Sequence, residues 1–530
     1  MNRTSKLDHL ANTHHVSRRQ FILQALAAGL TLPAAQALYL RAARAAPVKG
    51  GHFRFGFGSG STTDTLDPGL ATSTFIQSLC VTTNGYLTEV NPEGSLVGAL
   101  AQSWDASKDA KIWTFKLIEG AEFHNGKTVE AADVVASINY HRNPNSKSGG
   151  KGVVDQIEDV KADGPRAVVF SLKVANADFP FLMSDYHLGI KPSSNESIEG
   201  ASAIGCGGYA IKSFDPGVRA ELARHPNYWK PDRAWFDTAE YLAITDVAAR
   251  TNALTTGQVD AMDRCDLKTV ARLKSNSALE IMSITGMQHM TLPMLTDVPP
   301  FDDNNVRMAL KLAIHRGEWV EKILFGHGAL GNDQPINAAY RYFDAKLPQR
   351  EYDPEQAKHY LRKSGHDRLM VQLHTSEAAF VGAVDAAVLY KERAAVAGID
   401  IDVVRHPTDG FWEQVWMKQP FSFSYWGGRP TEDWMFTAVY ARGASMNETH
   451  WDDGRFNELL LMARGELDSE KRRAMYAEMQ QICRDQGGEL IPMYANYVNA
   501  ISNRVGHGTI AKNWDEDGFL AVERWWFKSA

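Results

Sequence analysis

The stretch Tyr425-Trp426-Gly427-Gly428-Arg429-Pro430-Thr431-Glu432-Asp433-Trp434 holds the side chains best suited to grip a small molecule. An arginine presents a planar fork that matches a carboxylate or phosphate through two parallel hydrogen bonds. Arg429 therefore points to a solute with an anionic group, or to a peptide held by its carboxylate. The alternative is that Arg429 pairs with Glu432, Asp433 or an acid across a cleft and only shapes its loop. Trp426 offers a wide, rigid face for stacking at little entropic cost, and its alternative is a place in the core. Trp434, Phe411 and Trp412 read as core.

Bond-making chemistry finds little support. The chain carries no Gly-x-Ser-x-Gly, no His-Glu-x-x-His, no Walker loop and no cysteine pair at zinc spacing. Gly56-Phe57-Gly58-Ser59-Gly60 lacks the lysine and hydroxyl of a phosphate loop and reads as a strand exit. Asp302-Asp303 and Asp452-Asp453 are helix-capping acid pairs. The 17 histidines are scattered, with only His14 and His15 adjacent. A binding protein with no catalytic residue, no cofactor and no metal is the expectation, and a secreted hydrolase is the reading these absences weigh against.

The elements that would position such a site are legible in places. Ile112-Trp113-Thr114-Phe115-Lys116-Leu117 alternates as a half-buried strand, Asn125-Gly126 is a turn, and Thr128 is a cap for a helix with Glu130 early in it and Val134, Val135 and Ile138 on its apolar face. Gly257 is placed to stop a helix that begins near Arg250. Asp303 caps a helix whose apolar face is Val306, Leu310, Ala313 and Ile314. Asp353-Pro354 to Gly365 spells a whole helix: cap, proline at the first position, glycine at the exit.

Several of these stretches also carry a family resemblance. Val97-Gly98-Ala99-Leu100-Ala101-Gln102-Ser103-Trp104, Trp113 to Leu117, Gly120 to Thr128 and Ala131-Ala132-Asp133-Val134-Val135 together resemble the signature of the extracellular solute-binding proteins of peptide/nickel ABC transporters, family 5, dipeptide/oligopeptide type. Thr65-Leu66-Asp67-Pro68, Arg224 to Trp229, Gly257 to Ala261 and Pro299 to Arg316 follow in the family's order. Gly205-Cys206-Gly207-Gly208-Tyr209 departs from it, with Cys and Gly where the family writes Thr and Pro. His315 stands for the usual Asp. The resemblance covers essentially residues 48–500.

The resemblance implies an α/β, two-lobed periplasmic-binding-protein fold of the large type II, peptide-binding kind with an extra subdomain. Its expected division is 46–290 for the first lobe with the subdomain, 291–495 for the second lobe, and 496–530 returning to the first. Crossovers fall near Ile284–Thr296 and Pro492–Ser502. It also implies a periplasmic component of an ABC importer that captures a peptide or peptide-like solute and delivers it, by lobe closure, to a permease served by ATPase subunits. The alternative within the class is a binder of a metal chelate, haem or an opine-type solute.

Peptide binders of the family often place an acid in the Trp-containing loop to pair with the peptide's amino group. Arg429 stands where that acid is expected, and a small register shift would give the role to Asp433. Trp426, Gly428, Arg429 and Asp433 are thus the second-lobe candidates. Met287 and His289 lie in the expected hinge strand. Thr74 and Phe75, after the Thr65–Pro68 turn, are candidates for the first lobe's rim, and Asp185-Tyr186-His187 is a further polar loop.

Residues 1–45 read as an export signal of twin-arginine type, with Ser17-Arg18-Arg19-Gln20-Phe21-Ile22-Leu23 before an apolar run and cleavage sites after Ala37 or Ala45. The mature chain is expected to be periplasmic, soluble and monomeric. Residues 1–45 hold six basic side chains and one acid, so the net charge moves from −7 to about −12 without them, which argues against a nucleic-acid partner. The four cysteines, Cys80, Cys206, Cys265 and Cys483, suggest at most one disulfide, with four free buried thiols the equal alternative.

Overall fold

Two long antiparallel strands, Leu279–Pro293 and Glu489–Ser502, organise the molecule, a computed structural model that describes residues 47–407 and 410–529. The export reading of residues 1–45 lies outside the described residues. At one end of this ribbon Ala261 and Met262 pair with Ile501 and Ala500, joining it to the first lobe's sheet. At its other end Gly328–Leu330 pairs with Met493–Ala495, and Ser424–Trp426 pairs with Thr291–His289 in the second lobe. One sheet therefore runs through both lobes of an α/β fold. The register shifts between Thr285 and His289, where Gly286 leaves room for the Tyr497 ring: a Cβ there would lie 2.1 Å from it.

In the first lobe, strand His52–Phe57 sits between parallel neighbours Thr238–Ala243 and Ala261–Met262. Alternation of Phe53, Phe55 and Phe57 with Arg54 and Gly56 builds an aromatic core with Phe75, Tyr241, Phe236 and Trp525. A separate antiparallel sheet, in the order Ala101–Ala106, Ile112–Leu117, Ala167–Leu172, Ile157–Ala162, forms the subdomain. Trp113, Phe115 and Leu117 are buried in its core, so the period-two pattern of that strand is met.

The helix that follows, Ala131–Arg142, starts differently from the sequence expectation. Its N-cap is Glu130 and not Thr128, because buried Asp133 accepts the Glu130 N–H at 3.0 Å, as well as the Ser193 N–H and the Lys127 ammonium. Val134 and Ile138 form the buried face.

The second lobe contains the parallel pair Leu369–Thr375 and Ile399–Arg405, connected through helix Ala383–Ala395. Around it pack Trp319, Tyr390, Phe423 and helix Asn304–Leu312. That helix is capped by Asp303, and Val306, Leu310, Ala313 and Ile314 are all fully buried. Helix Pro354–Lys363 has Asp353 accepting the Gln356 N–H at 2.9 Å, and Gly365 leaves it at φ +81°. All four cysteines are buried free thiols. Among the described residues no helix is long and apolar enough to cross a membrane.

Candidate functional site

Strand Ser424–Trp426 ends at the hinge side of the second lobe, and the chain then turns through Gly427 and Gly428. Gly428 has φ +87° and presses against Met287: a Cβ at this position would lie 2.3 Å from the Met287 Cβ. That close approach is why the turn needs glycine. It fixes Arg429, whose N–H donates to the Tyr340 hydroxyl at 3.1 Å. The Arg429 guanidinium donates to the Gly428 carbonyl at 2.7 Å and lies 5.5 Å from the Trp426 ring centre and 6.0 Å from that of Trp434.

The acids beside Arg429 in sequence are engaged elsewhere. Glu432 is buried and accepts the Tyr342 N–H at 2.5 Å. Asp433 is buried, and its two oxygens accept from Arg464 Nε at 3.0 and 3.2 Å. Both face inward because they lie in the first turn of helix Glu432–Val439, which Thr431 caps. Asp433 is thus not free to take a solute amine, a correction to the register-shift reading. Among the described residues no acidic side chain forms an ion pair with Arg429.

Beneath Arg429, Trp426 is 7 % exposed and donates its indole N–H to Glu448 Oε1 at 2.8 Å. His289 is opposite Trp426 in the strand register. It is fully buried, its Nδ1 lies 3.1 Å from the Met287 carbonyl, and its Nε2 has no partner. Burial, with a smaller contribution from the Arg429 charge, pushes its pKa down to about 4, so the imidazole is neutral near pH 7.

The first lobe faces this wall with Tyr186, which lies within electrostatic reach of Arg429 and accepts a hydrogen bond from Gln77. Tyr186 packs edge-on against Trp514 and Phe519, and Asp185 and His187 pair with each other at 2.6 Å. Thr74 is buried, with its hydroxyl 2.6 Å from Ser59 Oγ and donating to Asp263 Oδ2 at 3.2 Å. Phe75 is a correction: its ring is fully buried beside Phe57 and Tyr241, so it belongs to the first-lobe core and not to the rim. Its place on the inner face of helix Thr74–Thr83 is the physical reason.

The structure therefore brings Trp426, Gly428, Arg429, Met287 and His289 together, and leaves Asp433 and Phe75 apart. Tyr186 belongs to the polar loop 185–187 singled out from sequence, whereas Tyr340, Gln77 and Tyr497 were not found there, since each comes from a different segment with no motif around it. Direct contacts also tie the lobes. Arg472 of helix Ser469–Gln486 forms a two-pronged ion pair with Asp178, 2.8 Å from Nη1 to Oδ1, with both side chains 3 % exposed. The Ala177 N–H donates to the Arg464 carbonyl at 2.7 Å, and Trp434 packs against the subdomain core. One group of three metal-capable side chains converges among the described residues, Asp263, Asp515 and Glu516.

Known proteins resemble the chain along most of its length. Residues 95–448 match the bacterial extracellular solute-binding proteins, family 5 (middle region). The dipeptide-binding protein of Escherichia coli K12 is 24% identical over 462 residues, which span 77% of this chain and 83% of that one. The periplasmic binding protein DppA from Helicobacter pylori, solved with the peptide STSA, superposes with a TM-score of 0.73 at 20% identity, covering 91% of this chain and 99% of that one. AgaA from A. tumefaciens R10, solved with agropinic acid, gives 0.72 at 21% identity, with 91% and 99% covered.

Proposed function

Because the chain belongs to the bacterial extracellular solute-binding proteins, family 5, we propose that it is the periplasmic solute-capturing component of an ABC importer for a peptide or peptide-like solute with an anionic group. The observation that carries the anionic part is Arg429: a guanidinium at the cleft, backed by two tryptophan rings, with no acidic partner among the described residues. A carboxylate entering there meets a planar donor pair already fixed by the Gly428 turn. Trp426 supplies the stacking face, and neutral His289 with its unpartnered Nε2 supplies one hydrogen bond.

Capture works by closure. The solute docks on one lobe and bridges to the other, and it holds the closed form only through its differential affinity for that form. In this reading the first lobe is 46–290, the second 291–495 and the return 496–530, and the paired strands Leu279–Pro293 and Glu489–Ser502 carry the bending. The closed shape is what a permease with its ATPase subunits would read. Export through the twin-arginine signal and a monomeric state complete the proposal.

The relatives bracket the solute: a dipeptide-binding protein by sequence, and complexes with a peptide and with agropinic acid by fold. Arg429, without an acidic partner among the described residues, gives an acidic opine equal standing with a peptide carboxylate. A thermal-shift screen of the mature protein against dipeptides, oligopeptides, opines, glutathione and nickel chelates tests this. A ligand that binds only the native state stabilises it by about 2.7 kcal/mol at a hundredfold excess over Kd. Shifts confined to solutes with a free carboxylate are expected; a shift by carboxylate-free chelates alone would overturn the proposal.

A further inference from the structure

The first lobe brings its own charge to the cleft. Strand His52–Phe57 and its parallel neighbour Ala261–Met262 end at Gly58 and Asp263, and open α/β sheets hold ligands in the crevice beyond such carboxyl ends. There Asp263, Asp515 and Glu516 each offer an oxygen, all within 4.8 Å of one another. Their exposures are 0, 7 and 2 %.

Cations do not balance this group. Arg250 reaches Asp263 at 3.6 Å, and Arg264 reaches it at 3.8 Å with half of its own side chain in solvent. The other partners are neutral. Asp263 accepts from the Gly58 N–H at 2.6 Å and from Thr74, Asp515 accepts from Asn499 Nδ2 at 2.8 Å and from the Glu516 N–H, and Glu516 Oε2 accepts from Ser78. Glu516 Oε1 is buried with no partner at all. A buried carboxylate left so is costly unless a cation or a proton meets it. Burial pushes all three carboxyls up, and repulsion from neighbouring acids adds to it at Asp263, which reaches about 6, and at Glu516.

Tyr497 of the hinge lies within electrostatic reach of both Asp515 and Tyr340, and Tyr340 holds the Arg429 backbone. The acids belong to the strand ends of the first lobe, and Arg429 to the loop after strand Ser424–Trp426 of the second. We propose that Asp263, Asp515 and Glu516 form a first-lobe subsite for the ammonium group of the solute, so that the solute is a zwitterion held between these acids and Arg429; this rests on the solute-capture reading above. An ammonium fits better than a metal ion. Both oxygens of Asp263 and one of Asp515 already accept N–H or O–H bonds, whereas hard cations take six or more open oxygens. Three donors on one nitrogen need only the few acceptors left over.

The test takes the best-binding free-amine solute of the panel above and its N-acetyl form, against wild type, Glu516→Gln and Asp515→Asn, by calorimetric titration. N-acetylation is expected to weaken wild-type binding by about thirtyfold or more, the range of a charged hydrogen-bonded contact. Glu516→Gln and Asp515→Asn should weaken the free amine by about tenfold, leave the acetylated form unchanged, and melt without ligand no lower than wild type. Equal binding of the two forms to wild type overturns the subsite while leaving solute capture standing. Stabilisation of wild type, but not of Glu516→Gln, by calcium chloride alone overturns it in favour of a metal. A panel in which only carboxylate solutes without a free amine bind overturns this inference alone, and one in which no carboxylate solute binds overturns both this inference and the reading beneath it.

Discussion

Asp178→Asn separates closure from folding. Asp178 lies in the subdomain and Arg472 in the last long helix of the second lobe, and their ion pair is almost wholly dry, with both side chains 3 % exposed. Removing one partner of a buried pair costs about 3–5 kcal/mol when the other charge stays buried. In a protein whose lobes separate, Arg472 regains water in the open form, so the cost falls on closing and not on folding. Neighbouring Asp433 and Glu432 soften the loss, since Arg472 lies within electrostatic reach of both. An effective closure penalty of about 2–3 kcal/mol corresponds to about 30- to 150-fold weaker solute binding. Calorimetry should show that loss while the ligand-free melting temperature changes little, and Arg472→Met should behave alike. A ligand-free melting temperature lowered by several degrees with unchanged Kd would refute the reasoning, because the pair would then be permanent packing.

Three further outcomes follow from the cleft. Arg429→Ala should weaken binding of carboxylate solutes by about fivefold or more, as loss of a charged hydrogen-bonded contact does, with thermal stability nearly intact; equal affinity by calorimetry would remove Arg429 from the contact set. Gly428→Ala adds a Cβ 2.3 Å from Met287 at φ +87°, so chemical denaturation should show a loss of about 1–3 kcal/mol and binding should fall with it. For His289, the folded pKa of about 4 lies below the ordinary 6.5. The unfolded chain therefore takes up its proton first, and this contribution, full above pH 6.5, is lost as pH falls towards 4. It amounts to something on the order of 2–3 kcal/mol. Urea denaturation between pH 7 and 4.5 should show a shallower loss in His289→Gln than in wild type, and parallel curves would contradict it.

Much of the fold was legible where local chemistry is self-contained. Strand Ile112–Leu117 and the helices capped by Asp303 and Asp353 were readable because a period and a cap lie within one short window. Thr128 misled because the true cap depends on Asp133, whose burial is decided by Lys127 and the distant Ser193. In the cleft, Trp426, Gly428 and Arg429 stand consecutively enough to be seen together. Phe75 was misplaced since a helix's first turn can turn a side chain to rim or core, and here the aromatic core of Phe57 and Tyr241 takes it. Asp433 lost its amine role to Arg464, 31 residues away. Asp178 with Arg472, 294 residues apart, and the acids Asp263, Asp515 and Glu516 meet only through the chain's return to the first lobe, and no window of sequence contains them.

Small-angle X-ray scattering of the mature protein, with and without the best solute of the panel, tests the central claim most directly. Capture by lobe closure predicts a larger radius of gyration without solute, and a curve with solute that matches the interlobe contacts of Asp178 with Arg472 and of Ala177 with Arg464. Identical curves in the two states, at solute concentrations that saturate binding, would contradict it.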